Sequence, residues 1–99
     1  MKLIDIEKIE DCFDGSMIFK YSFAGEIGEM FMRKLELIGE LNYYPEFSRP
    51  FYKIFTFNGI QIKGIIGETN FEVTFPLTEK WGKKRKFENR LEMILRQLD

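Results

Sequence analysis

Four groups of residues in this 99-residue chain have types and spacings suited to chemistry. Near the N-terminus, Glu10, Asp11 and Asp14 surround Cys12, the one cysteine. Carboxylates can hold a hard cation, but a calcium loop needs oxygens at alternate positions and a distant Glu, and this spacing offers neither. Asp14 beside Gly15 reads instead as a turn residue. A reactive Cys12 would need a neighbouring cation or helix N-terminus. Its neighbours are acids, so it reads as a small hydrophobe on the apolar face of a hairpin.

The third group is Tyr43-Tyr44-Pro45-Glu46-Phe47-Ser48-Arg49-Pro50-Phe51-Tyr52, with five aromatics and two of the three prolines in ten residues. Proline removes a donor and fixes φ, so the segment is expected to be neither a helix nor a central strand. Aromatics bury large areas and sit where something packs on them. Tyr43, Tyr44, Phe47, Arg49 and Phe51 are therefore the expected partner-binding residues, for a protein partner or a second copy of the chain, since interfaces are rich in Tyr, Phe and Arg. The bland alternative is that the rings cap an open end of the core. A third option is a small-ligand pocket or enzyme site, with Arg49 reading a carboxylate or phosphate bidentately beside the tyrosine hydroxyls.

The fourth group is Lys80, Lys83, Lys84, Arg85 and Lys86. Residues 1–77 hold eight basic and twelve acidic residues, whereas residues 78–99 hold seven basic and four acidic ones. The run suggests contact with nucleic acid or another anion, lysines neutralising phosphates while Trp81 or the tyrosines stack on bases. Against this stand the solvated-face reading and a pI of about 5.6, far from the basic footprint of a nucleic-acid domain.

Absences narrow the field. The chain has no histidine, which removes the commonest general base at neutral pH and the commonest metal ligand. One cysteine without histidine excludes zinc motifs built on Cys/His pairs. A non-catalytic binding role is expected, with no metal and no cofactor. No segment carries a motif specific enough to transfer a function. No apolar run approaches the length that spans a bilayer, and Met1–Glu7 lacks the apolar core of a secretory signal. Membrane binding is not expected, and a cytoplasmic location is. Abundant Lys and Glu with little Gln, Cys and His lean towards a thermophilic source.

Residues 1–99 read as one domain, whose elements must position these groups. Asn58-Gly59 suits a two-residue type I′ hairpin, which would set Phe57 opposite Ile60, Phe55 opposite Ile62 and Phe51 opposite Ile66, all on one apolar face. A further turn at 67–70 would extend the meander to residue 75, with Ile62 opposite Phe75. Asp14-Gly15 predicts a hairpin of strands 2–11 and 16–24, with Cys12 opposite Met17 and with Ile4, Ile6, Phe19, Tyr21 and Phe23 inward. Ile27, Met30, Phe31, Leu35, Ile38 and Leu41 follow helical spacing over 26–41, with a strand through 30–35 as the rival. Phe87, Leu91, Ile94, Leu95 and Leu98 predict a C-terminal amphipathic helix, starting near Thr78 or near Gly82. The expected fold class is α+β, a two-layer sandwich in the order ββαβββα, with about five antiparallel strands and two helices on one face.

Overall fold

A computed structural model of the chain describes residues 1–98. It is α+β, with six antiparallel strands rather than five: β1 (Leu3–Asp11), β2 (Met17–Phe23), β3 (Gly39–Tyr44), β4 (Phe51–Thr56), β5 (Gln61–Ile65) and β6 (Asn70–Phe75). A short helix α1 (Glu29–Lys34) runs into a 3₁₀ turn at Leu35–Leu37, and α2 spans Lys80–Gln97. The strands lie in one sheet in the order β1-β2-β6-β5-β4-β3, so β1 and β3 are its edges.

The sixth strand comes from residues expected to end the first helix and to form an irregular connection. Helical structure stops before Gly39, where the backbone passes so close to the Phe55 carbonyl of β4 that a side chain would run into it. From Gly39 the chain pairs with β4, from Gly39 opposite Thr56 to Tyr44 opposite Phe51. Leu41 and Tyr43 pack on the core, two residues apart as strand geometry requires. Ile38 and Leu41 also fit a helical i, i+3 spacing, which hid the change of period. The two prolines sit outside the strands, Pro45 just after β3 and Pro50 just before β4. The aromatic segment is thus a hairpin with a proline at each shoulder of its loop.

The Asp14-Gly15 and Asn58-Gly59 hairpins both close through three-residue loops. Thr56 N–H bonds Ile60 O at 2.9 Å, Gly59 N–H bonds Thr56 O at 3.1 Å, and Gly59 has φ 88°. A type I turn followed by a left-handed glycine replaces the expected type I′ turn. The extra residue moves the register by one, so Ile54 faces Ile62 and Tyr52 faces Gly64. A one-residue slip exchanges the two faces of a strand. Tyr52 and Ile54 are therefore buried, whereas Phe57 is 99% exposed and Phe55 44% exposed. The β5–β6 pairing sets Ile62 opposite Val73 and Gly64 opposite Phe71. That is two residues from the expected register, so the inward face of β6 is unchanged.

In the first hairpin Met17, Phe19, Tyr21 and Phe23 point inward as expected. On β1 the register shifts at Ile4 and again at Ile9. Leu3 and Ile6 fall opposite Phe23 and Tyr21, but Ile4 and Ile6 are both exposed instead of inward.

One face of the sheet carries the core. Phe87, Leu91, Ile94 and Leu95 of α2 and Phe31, Met32 and Leu35 of the α1 region are buried against it. The rings meet edge to face, Phe23 on Phe31 at 5.4 Å and Tyr21 on Phe87 at 5.5 Å. Each such pair adds about 1 kcal/mol beyond the area buried. Two backbone bonds hold the entry to α1, from Ile27 N–H to Glu68 O and from Gly67 N–H to Ile27 O. No helix among the described residues is long and apolar enough to cross a membrane.

Candidate binding surfaces

Strand alternation divides the aromatic hairpin between the two faces of the sheet. Tyr43 lies opposite Tyr52 on the helix side. Its hydroxyl donates to Glu29 Oε1 at 3.0 Å, and the Arg33 guanidinium sits 5.6 Å from the ring centroid. Partial desolvation and the Glu29 carboxylate raise the Tyr43 pKa. Tyr44 and Phe51 lie opposite each other on the uncovered side and stack, with centroids 4.5 Å apart and planes 18° from parallel. Phe47, at the loop, leans on both, 6.5 Å from Tyr44 and 5.1 Å from Phe51. No helix covers this trio, and Phe47 is 52% exposed.

Arg49 forms an ion pair with Glu68 across the loop ends. Beside it an open groove of about 540 Å³ is lined by Arg49, Phe51, Lys63, Glu68 and Asn70. Arg49, Tyr43 and Tyr44 do not converge on one pocket, because Tyr43 points to the opposite side of the sheet.

The basic residues of α2 do not form one patch. The helix starts at Lys80, so Lys83 to Lys86 extend into its second turn, where the dipole cost has faded. At 100° per residue the run wraps around the axis. Lys84 turns inward: its ammonium lies 2.6 Å from Glu88 Oε2 and 4.9 Å from the Phe19 ring centroid. Glu88 Oε2 also accepts the Tyr21 hydroxyl at 2.7 Å. Burial, reinforced by the Glu88 carboxylate, pushes the Tyr21 pKa far up. The Tyr21–Glu88–Lys84 group satisfies polar atoms at the core margin, so Lys84 serves the fold. Lys80 reaches the Gly15 carbonyl at 3.4 Å and lies 5.9 Å from the Trp81 ring centroid. Lys83 is half-buried, and Arg85 and Lys86 are exposed.

A cationic feature the sequence did not suggest lies on the uncovered face. Lys53 and Lys63 are directly opposite each other on β4 and β5. Like charges so placed repel; Lys63 also lies directly opposite Glu72 of β6, although neither lysine forms an ion pair among the described residues. Phe51 and Phe55 flank Lys53 at i−2 and i+2 on the same face. Only the corrected register brings the lysines together; the type I′ register would set Lys53 opposite Gly64.

The far end of the sheet exposes Phe13 and Phe57 at the tips of two hairpins, with Leu77 and Trp81 near them. Each phenylalanine immediately precedes a turn dipeptide, Asp14-Gly15 or Asn58-Gly59, a position visible in the sequence. Cys12 is half-buried, its sulfur 3.6 Å from Glu10 Oε2. Asp14 accepts both the N–H and the hydroxyl of Ser16, which lowers its pKa and fits the turn role. Among the described residues no group of three Cys, Asp or Glu side chains is gathered for a metal ion. No protein-family model, no curated protein and no solved structure matches the chain.

Proposed function

We propose that the protein is a non-catalytic binding module. It contacts a protein partner or a second copy of itself through the 43–52 hairpin, with Tyr44, Phe47 and Phe51 as the apolar centre, Arg49 at the rim and Tyr43 on the adjoining edge. The observation that carries this reading is the stacked trio left on a sheet face that no helix covers. Fully burying a phenylalanine is favourable by about 1.5–3 kcal/mol. A loop ring held against two others offers that gain to a partner at little further entropic cost, because its neighbours already restrict it. Phe47→Ala is expected to cost about 1–2 kcal/mol of stability, from the two ring contacts it loses, and to leave the protein folded. The same change is expected to weaken capture of a protein partner by about tenfold or more. Melting curves measured beside pull-down check both. Unfolding, or unchanged capture, would remove the trio from the contact.

A second reading, binding of a single-stranded nucleic acid or another polyanion, is favoured by the unpaired Lys53–Lys63 pair between Phe51 and Phe55. Lysines supply phosphate contacts and rings supply stacking. Salt-sensitive retention on heparin, abolished by Lys53→Glu with Lys63→Glu, is the outcome this reading expects. Abolition instead by reversing Lys83, Arg85 and Lys86 would return the contact to α2, and no retention at low salt would end the reading.

A further inference from the structure

The two edges of the sheet are built differently. β1 carries five charged residues among its nine and two register shifts, at Ile4 and Ile9. Charges and bulges are the devices that keep an edge strand from pairing with another chain. β3 is far less protected: its six residues, Gly39-Glu40-Leu41-Asn42-Tyr43-Tyr44, pair with β4 in unbroken register and carry a single charge.

The direction of its free backbone groups follows from its neighbours. Ile66 N–H bonds Pro50 O and Thr56 N–H bonds Ile60 O, both at 2.9 Å. The even-numbered residues of β4 therefore bond β5, and the odd-numbered ones bond β3, because antiparallel ladders alternate sides. Phe51, Lys53 and Phe55 face Tyr44, Asn42 and Glu40. Gly39, Leu41 and Tyr43 are left pointing their N–H and C=O groups out of the sheet.

We infer that this edge pairs with the same edge of a second copy, antiparallel about Leu41, and continues the six-stranded sheet across a two-fold axis perpendicular to it. The inference rests on the reading of the protein as a binding module and places a contact between copies on the strand edge, beside the aromatic trio. The register is selected by what it brings together. Leu41 meets Leu41 of the second copy on the helix side. Tyr43 lies over Gly39 of the second copy, a ring covering an edge glycine. On the uncovered side Glu40 faces the Asn42 amide of the second copy, twice by symmetry, so the strand's one charge meets a donor. Only outward-pointing residues occupy the hydrogen-bonded positions, and about six backbone bonds form. Apolar meets apolar and acceptor meets donor at each pair, the self-complementarity an isologous contact requires. Leu41 and Tyr43 already pack on the core margin, and the second copy extends that margin without a break.

A charge swap in the full chain tests this register. Wild type is expected to show twice the 11.9 kDa chain mass by light scattering. Asn42→Glu sets carboxylates against each other at both symmetry-related pairs and is expected to weaken the dimer by about tenfold or more. Adding Glu40→Lys to Asn42→Glu sets the introduced ammonium against the introduced carboxylate at each pair and is expected to restore the dimer. Both positions are on the uncovered face, so circular dichroism of each variant should match wild type. Phe47→Ala lies outside the pairing and is expected to leave this dimer intact. A wild-type monomer at every concentration, or a dimer indifferent to Asn42→Glu, overturns the edge pairing. A dimer dissolved by Phe47→Ala alone also overturns it, while keeping the aromatic trio as the contact. A monomer that still captures another protein through Phe47 does the same, and a monomer retained only on heparin overturns both readings.

Discussion

Gly64→Ala is expected to destabilise the protein by about 3 kcal/mol, a drop of roughly 12–24 °C in melting temperature for a domain of this size. The glycine lies on β5 directly opposite Tyr52 of β4. Tyr52 is fully buried, and the hydroxyl end of its phenol lies over Gly64, so that a methyl at 64 would overlap the hydroxyl and the ring carbon that bears it. Neither strand yields easily, since β4 and β5 are interior to the sheet and bonded on both sides. A loss below about 1 kcal/mol would mean that the ring can move aside and that close packing does not fix this contact. A companion change separates the methyl clash from the hydroxyl. Tyr52 Oη is buried with no hydrogen-bond partner among the described residues, a condition that costs about 1–3 kcal/mol. Tyr52→Phe is therefore expected to raise stability, and to lessen the damage of Gly64→Ala because one of the clashing atoms has gone.

This contact also shows what could be read from the sequence. The expected type I′ turn at Asn58-Gly59 set Gly64 opposite Lys53, and the expected turn at 67–70 set it opposite Val73, so neither placed it under Tyr52. Apolar residues on both candidate faces of β4, with Phe51, Phe55 and Phe57 on one and Tyr52 and Ile54 on the other, left periodicity unable to choose. The choice was made by turn geometry: Gly59 in the left-handed region after a type I turn adds one residue to the loop. β2 and α2 were legible because their inward residues repeat at a single period with polar residues between them. The helix at α1 was legible but its end was not, because Leu41 completes the helical spacing from Ile38 and also begins the strand alternation with Tyr43, and a six-residue helix followed by a 3₁₀ turn is too short to assert its own period. Residue types at 43–52 marked a candidate contact segment, but the split of Tyr43 from Tyr44, and the facing of Lys53 and Lys63, are properties of pairing.

The hairpin geometry changes what the aromatic segment means. As a connection it would have been either pinned to the core or free. As a β3–β4 hairpin at the sheet's edge it is both: Tyr43 and Tyr52 anchor the inner face while Tyr44, Phe47 and Phe51 hold the outer one. The anchored residues fix the backbone of the edge strand, so its free N–H and C=O groups are presented in one arrangement. A pre-organised edge and a pre-stacked ring cluster reduce the ordering cost that a partner must overcome.

Above about pH 10 the protein is expected to lose stability steeply, and two tyrosines are responsible. Tyr21 is buried and donates to Glu88; Tyr52 is buried with no partner among the described residues. Burial, with the Glu88 carboxylate added at Tyr21, raises both pKa values above the ordinary tyrosine value. A raised folded-state pKa means the native protein holds its proton where the unfolded chain releases it. The stabilising contribution is complete below about pH 10 and is lost as pH rises from the unfolded pKa through the folded one. Within that window each tyrosine removes about 1.4 kcal/mol per pH unit, so the pair removes roughly 2.7 kcal/mol per unit. Urea unfolding followed from neutral to strongly alkaline pH measures the slope. Phenolate absorbance from these two residues should appear with the unfolding transition and not before it. Tyr21→Phe and Tyr52→Phe should each flatten the slope by about half, and the double variant should remove most of it. Their neutral-pH effects should differ: Tyr52→Phe deletes an unsatisfied hydroxyl and stabilises, whereas Tyr21→Phe deletes a satisfied one and leaves Glu88 with Lys84 alone. A double variant as alkali-sensitive as wild type would place the loss on surface charge instead of these two buried phenols.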